Sequence, residues 1–340
     1  MTNRCVRSCP YCFARRELQA PAAGDTVSWE DVVYVADFLE RSGEKRLSLL
    51  GGEPTLHPHF VDLVLYLRER DFDVTVFTSG VLSPGKLRDV LAHLTAIPPG
   101  PLNFVCNLND PEQTPAETGE RDRLAAFLDA MGPWVTPGFN IYRVDFRLDF
   151  LFDLVGRYGL GRHLRLGVAH PVPNAPSSHI RPEQYRAVIE RLCSYRPLFD
   201  RFDVKPGLDC GFPLCQFTDE ELGWLTRHTG GASHFQCGAA IDIAPDMSVY
   251  ACFPFSRVHR RSLYEFDSLQ QIADYYQELN RDLRAELPGI YEECDGCRHR
   301  AADQCSGGGA CHLMTRLLGE APVRLPEVER ALAETGGPRI

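Results

Sequence analysis

Residues 1–206 predict an α/β fold, a parallel sheet built from successive βα units, and residues 207–318 a smaller cysteine-rich module. Three observations carry this. Between residues 40 and 206, short β-prone runs alternate with amphipathic helical stretches. From Gly207 the alternation stops, and eight of the 13 cysteines crowd between Cys210 and Cys311. Glycine- and proline-rich turns follow directly on the early strand candidates.

The candidate strands are 46–50 (RLSLL), 73–78 (DVTVFT), 103–108 (NFVCNL), 138–143 (GFNIYR), 164–169 (LRLGVA) and 202–205 (FDVK). Helical stretches lie between them at 29–41, 60–70, 84–94, 121–131 and 182–194. The first begins after Ser28, a side-chain acceptor suited to an N-cap, with Glu30 and Asp31 in the first turn. Strand–helix alternation implies right-handed crossovers, and ligands then belong at the C-terminal ends of the strands. In the second module a single helical stretch, 268–283, interrupts the cysteines. Residues 319–340 form a tail with a short helix and a Gly-Gly-Pro segment.

Charge and composition narrow the class of partner. The chain has 340 residues and a formal net charge of -10, without a basic cluster, which excludes a nucleic-acid groove or an anionic membrane surface. No apolar run approaches the roughly 18 residues of a membrane helix, and the start lacks the apolar core of a signal peptide. A cytoplasmic protein is expected, and in a reducing cytosol an odd cysteine count points to metal ligation or redox work rather than disulfides.

The chain opens MTNRCVRSCPYCFARR. Cys5-x3-Cys9-x2-Cys12 offers three thiolates on one loop, which suits three corners of a [4Fe–4S] cube and leaves one iron open. Chance clustering is the competing reading. Two further stretches weigh against it: Gly51-Gly52-Glu53-Pro54 follows the first strand candidate, and Thr78-Ser79-Gly80 ends the second.

The set CVRSCPYC, LLGGEPTLHP and FTSG resembles the radical S-adenosylmethionine (SAM) superfamily, over roughly residues 1–206. The resemblance implies a partial (βα)6 radical SAM barrel. It implies that Cys5, Cys9 and Cys12 hold a [4Fe–4S] cluster whose fourth iron chelates SAM. Gly51, Gly52, Glu53 and Pro54 would bind the methionine amino group along an exposed strand end. Tyr11 and Phe13 would lie by the adenine and Ser79 would be a polar SAM contact. Asn107 and Asn109 would bind the ribose, with Asn140 and Arg143 as further candidates; for Ser79, Asn107 and Asn109, ordinary strand-end chemistry is an equal alternative. Relatives carry a strand just ahead of the cysteine loop, and a strand preceding Met1 is therefore expected.

The later cysteines resemble the SPASM extension of such enzymes, a small iron–sulfur domain with two auxiliary [4Fe–4S] clusters. IAPDMSVYACFPF looks like its hairpin, with Met247 where glycine is usual. By analogy one cluster takes Cys237, Cys252, Cys311 and one of Cys210 and Cys215; the other takes Cys294, Cys297, Cys305 and the remaining one. Structural zinc on Cys294, Cys297, Cys305 and Cys311 is the alternative. Cys106 and Cys193 fall in strand and helix and read as small buried hydrophobes. His57-Pro58-His59 reads as a turn.

The implied reaction is reductive cleavage of SAM and hydrogen abstraction from a C–H bond, with oxidation or C–C bond formation as the outcome and a flavodoxin- or ferredoxin-type electron donor. A small molecule, such as a sugar, nucleoside or aminosugar in an antibiotic-type pathway, is the expected substrate. A ribosomal peptide is the alternative, and a non-catalytic iron–sulfur or zinc carrier the rival class. Asp145, Arg147, His170 and Asn174 are candidate substrate residues, for each of which a solvated or core role competes.

Overall fold

Six strands, β1 (Arg46–Leu49), β2 (Asp73–Thr78), β3 (Leu102–Asn107), β4 (Val135–Ile141), β5 (His163–Val168) and β6 (Lys205–Leu208), form one sheet in sequence order. Every pairing is parallel, because each connection contains at least one helix that returns the chain to the starting edge. The computed structural model describes residues 1–14, 25–114, 116–172, 178–231, 235–238, 240–256 and 259–318. The tail and the expected strand ahead of Met1 lie outside them. The crossovers carry α1 (Trp29–Arg41), α2 (Phe60–Glu69), α3 (Pro84–Leu94), α4 (Glu120–Met131), α5 (Asp149–Tyr158), α6 (Tyr185–Ser194) and α7 (Arg196–Phe202). Ser28 caps α1 as expected, its side chain accepting from the Asp31 N–H.

The alternation of side chains along each strand separates two surfaces. Val74, Val76, Phe104, Cys106, Val135, Phe139, Ile141, Leu164, Leu166 and Val168 are buried under the helices. A Val- to Phe-sized side chain buried in this way contributes about 1.5–3 kcal/mol. The intervening residues include Asn103, Asn107, Thr136, Asn140 and Arg165, which are only half-buried. One face of the sheet is therefore the core, and the other is polar and partly open.

Two strands differ from expectation. The sixth forms at Lys205–Leu208, because Phe202 still belongs to α7 and Asp203 turns the chain at φ 50°. Its ladder crosses the expected domain boundary at residue 206. The fourth begins at Val135 and runs through Pro137, one residue before Gly138, where the ladder with β5 begins, and near the start of the strand where proline is tolerated. Cys106 is fully buried, as a small hydrophobe, whereas Cys193 is half-buried.

The second module builds a three-stranded antiparallel sheet from β7 (Ile241–Ile243), β8 (Ser248–Ala251) and β9 (Arg261–Ser262). It also holds α8 (Asp219–Thr229), α9 (Leu269–Glu286), α10 (Arg298–Ala301) and α11 (Ala310–Leu318). It spans the two unpaired edges of the large sheet. On the β1 side, the Tyr264 ring lies 4.9 Å from that of Tyr34 on α1, and the Leu269 N–H donates to Ser42 Oγ. On the β6 side, Tyr291 donates its hydroxyl to the Pro182 carbonyl at 2.7 Å.

The β7–β8 turn explains the residue that replaces glycine. Met247 donates its N–H to the Ala244 carbonyl and sits at φ 62°, the left-handed position of a hairpin loop. A side chain there costs about 1–2 kcal/mol, but that of Met247 is buried, and removing a buried methionine costs about 2–5 kcal/mol. Packing outweighs backbone strain. Met247→Gly is therefore expected to lower unfolding stability by about 1–3 kcal/mol in thermal or denaturant melts; a higher melting temperature would show that strain dominates.

Candidate active site and cysteine quartets

The cysteine loop is fixed by backbone contact with the end of β1. Gly52 donates its N–H to the Thr2 carbonyl and Glu53 to that of Arg4, both at 2.7 Å. A Cβ on Gly51 would fall 2.3 Å from the Thr2 oxygen, and one on Gly52 2.1 Å from the Arg4 oxygen. No residue but glycine fits either position. The two N–H groups are occupied by the loop, so this edge offers carbonyl acceptors toward the cysteines.

Glu53 ties the next strand end to the same place. It is fully buried, and no cation neutralises it among the described residues. Oε1 accepts from the hydroxyls of Thr55 (2.8 Å) and Thr78 (2.7 Å), and Oε2 from the N–H (2.7 Å) and hydroxyl (2.6 Å) of Ser79. A carboxylate with this many donors needs no counter-ion. The side chains of Glu53 and Ser79 thus satisfy each other, and the SAM contact expected of Ser79 has its hydroxyl proton directed at Glu53.

Arg7, between Cys5 and Cys9, is not among the residues the sequence singles out. Its guanidinium is buried, with Nε on Glu120 Oε1 at 2.6 Å and Nη1 on the Asn107 carbonyl at 2.8 Å. Desolvation alone would lower its pKa, but Glu120, helped by Cys106 and Cys9, holds it above the ordinary value. The available signal is an arginine inside a three-cysteine motif, where a fixed positive charge favours thiolate.

Tyr11 donates its hydroxyl to Asn109 Oδ1 at 2.6 Å, and Asn109 Nδ2 lies 3.8 Å from Cys9 Sγ. Asn109 therefore links the loop to the end of β3. Asn140 Nδ2 reaches Asn107 Oδ1 at 3.4 Å on the polar face. Phe13 is exposed and its ring lies 5.1 Å from that of Phe253, beside Cys252. Arg143 forms a two-bond ion pair with Asp145 (2.5 and 2.6 Å), and Arg147 pairs with Glu112. These three candidates are exposed or half-buried and engaged with other side chains; Asn174 lies outside the described residues. On the same polar face, Arg165 pairs with Asp209 and covers the Phe77 ring, with the cation 5.3 Å from its centre. A cavity of about 310 Å³ between α4 and α5 is lined by Leu124, Leu128, Phe150 and Leu154 and, toward the cysteine loop, by Arg7, Asn109 and Glu120. His57 forms the expected turn, its Nε2 on the Val27 carbonyl.

The later cysteines sort into two quartets, which sequence spacing leaves undecided. Burial pushes the Cys210, Cys252 and Cys311 thiols up, and Cys237 beside them adds to the rise in each. Burial likewise pushes up Cys215 and Cys294, and Cys297 and Cys305 lie close enough to add to both. Cys210 is pushed up to about 12 and Cys252 to about 11. Cys311 therefore joins the first group and Cys215 the second, which overturns the zinc alternative on Cys294, Cys297, Cys305 and Cys311. None of the thirteen cysteines is in a disulfide. Backbone N–H groups of Ala310, Ala240 and Gly307 point at Cys237, Cys252 and Cys305 Sγ, each at 3.4 Å. Among the described residues, no three His, Cys, Asp or Glu side chains converge as a single ion requires. Two sets of four thiols suit four-iron clusters, which cysteines hold in fours.

Residues 1–100 match the family model of the radical SAM superfamily. Among curated proteins, the chain is 40% identical over 83 residues to the PqqA peptide cyclase of Gluconobacter oxydans, covering 24% of this chain and 22% of that one. It is 27% identical over 216 residues to GTP 3',8-cyclase 2 of Pseudomonas aeruginosa, covering 59% and 63%. The chain thus spans less than two-thirds of the length of either. Native anSMEcpe with bound AdoMet has the same fold at a TM-score of 0.61 and 13% identity, covering 90% of this chain and 86% of that one. Streptococcus suis SuiB bound to the precursor peptide SuiA gives 0.53 at 15% identity, covering 78% and 61%.

Gly52→Ala is expected to displace the cysteine loop and to lose about four irons per chain after anaerobic reconstitution, with the iron of the two quartets retained. Gly85→Ala serves as the control, since its Cβ would meet nothing closer than Arg88 Nη2 at 4.0 Å. Equal iron in both variants would show that the loop does not depend on this approach.

Proposed function

Residues 1–100 are a radical SAM domain, and from that premise we propose that the protein is a peptide-modifying enzyme of the SPASM type. The observation that carries the reading is the pairing of a three-thiol loop, tied to the glycines of the β1 end, with two complete thiol quartets behind it. When bound, a [4Fe–4S] cluster on Cys5, Cys9 and Cys12 together with SAM supplies the 5′-deoxyadenosyl radical that removes hydrogen from substrate carbon.

The chain's own residues then bind and orient. The carbonyls along Gly51 and Gly52 have the polarity that the SAM ammonium group needs. Asn107 and Asn140, on the polar side of the sheet, would hold the ribose. Tyr11, steadied by Asn109, and Phe13 would hold the adenine. Arg7 holds the loop against the end of β3 by its bond to the Asn107 carbonyl. The Arg165–Asp209 pair faces the substrate, with Asp209 one residue from the quartet ligand Cys210.

For the substrate, a peptide replaces the small molecule favoured by the sequence. In favour of a peptide stand the PqqA peptide cyclase similarity and the SuiB complex with its precursor peptide. The longer match to a GTP 3',8-cyclase supports a nucleotide as the second reading.

Deuterium tracing separates the two even while the substrate is unidentified. An extract of deuterated host cells is split into peptide and nucleotide fractions, and each is given to reconstituted enzyme with SAM and a reductant. Deuterium is expected in the 5′-deoxyadenosine formed with the peptide fraction. Label from the nucleotide fraction alone would transfer the proposal to the second reading. Absence of 5′-deoxyadenosine under all conditions would remove the radical enzyme itself.

A further inference from the structure

His170 follows β5, on the stretch that runs back toward the second module. Both ring nitrogens are shut off from solvent, and neither has a hydrogen-bond partner among the described residues. The ring's backbone hydrogen bond at Cys210 is a loose one that falls outside strict hydrogen-bond geometry. An unsatisfied buried polar group of this kind is costly, and a partner that fills the bond removes that cost.

The surroundings of the ring come from the ligand segments of one quartet. A Cβ on Gly211 would fall 2.2 Å from His170 Cε1 and 2.6 Å from Nε2. A Cβ on Gly309 would fall 3.4 Å from Cε1, 3.6 Å from Nδ1 and 3.1 Å from Cys311 Sγ. The imidazole thus lies between Cys210-Gly211 on one side and Gly309-Ala310-Cys311 on the other, and a side chain at Gly211 would overlap it. His312 packs edge-on at 5.6 Å, with its own Nε2 toward the Tyr185 hydroxyl at 3.3 Å, so it does not supply the missing partner.

The geometry points to His170 as an N–H donor to a sulfur of the cluster held by Cys210, Cys237, Cys252 and Cys311, acting as a positioning residue that raises the reduction potential of that cluster. The inference rests on the reading of the quartet as an iron–sulfur site. Reduction adds negative charge to the sulfurs, and a fixed N–H dipole stabilises that charge more in the reduced state than in the oxidised one.

The test is a redox titration followed by low-temperature electron paramagnetic resonance. It uses the full chain carrying Cys5→Ala, Cys9→Ala and Cys12→Ala, so that only the two quartets contribute. With His170 present, about eight irons per chain and two reducible clusters are expected. In His170→Leu one cluster is expected to shift to lower potential, its reduced-to-oxidised ratio at fixed poise falling about tenfold, or about 59 mV for one electron. The other cluster stays in place and is the internal control. His170→Asn, which keeps an N–H donor, is expected to recover part of the shift. Both clusters unmoved in His170→Leu at full iron content would overturn the assignment. About four irons before His170 is changed would instead show that a quartet holds no cluster, which overturns the reading beneath the assignment as well. Should the leucine variant fail to fold, 15N-histidine labelling of the chain with His170 intact decides: a weak 15N coupling to one reduced cluster supports the bond, and its absence overturns it.

Discussion

Two strands of backbone meet at a distance that only glycine permits, and the proposed chemistry depends on that approach. Residues 2–4 lie against residues 51–53 with N–H to carbonyl bonds of 2.7 Å at Gly52 and Glu53, where a Cβ would overlap a carbonyl oxygen. The contact converts a cysteine-bearing segment with no helix or strand of its own into a fixed wall at the C-terminal edge of a parallel sheet. Glu53 extends the constraint by drawing Thr78 and Ser79, at the end of β2, to the same buried carboxylate. Arg7 extends it again to β3 and α4. Three strand ends are thereby locked around one loop, which is the rigidity that positioning of a reactive group requires.

What can be read from the sequence follows from which interactions are local. The first five strands are legible because their apolar runs are bounded by turn residues and separated by helical periodicity. The sixth is displaced from its expected place because FDVK carries strand-like residues that tertiary packing gives partly to α7. The triad and GGEP are legible as motifs, since their spacing is their chemistry. The partnership of Glu53 with Ser79 is not, because it joins residues 26 apart through burial. Likewise, the spacing of Cys210 and Cys215 carries no information on which quartet each joins; only the fold, which sends them to opposite groups, decides it.

The division of the sheet into an apolar and a polar surface also separates stability from function. On the helical side the side chains fill a continuous core, and exchange there would be felt as packing loss. On the other side, Asn103, Asn107, Thr136, Asn140, Arg165 and Asp209 form pairs across neighbouring strands. These residues add little to the core, and a partly open surface of amides and one ion pair is an expensive choice unless something polar binds it. The same reasoning explains Gly138 and Gly167, which lie among these amides. A Cβ at Gly167 would fall 2.7 Å from Asn140 Oδ1, so the glycine keeps the amide row in register.

The thiol quartets bring the opposite electrostatic problem to the second module. Burial and mutual repulsion push Cys210, Cys252 and Cys311 upward in pKa, so the metal-free module holds them protonated. Iron binding requires thiolate, releases those protons, and replaces repulsion between like charges by attraction to a cationic centre. The module has only three short strands, and its longest helix buries just Ile272 and Tyr276. A core this small gains a large part of its order from the ligands it closes around. The module also packs on the elements flanking the large sheet, through Tyr264 against Tyr34 on α1 and through Tyr291 to the Pro182 carbonyl, so order gained there bears on both sides of the sheet.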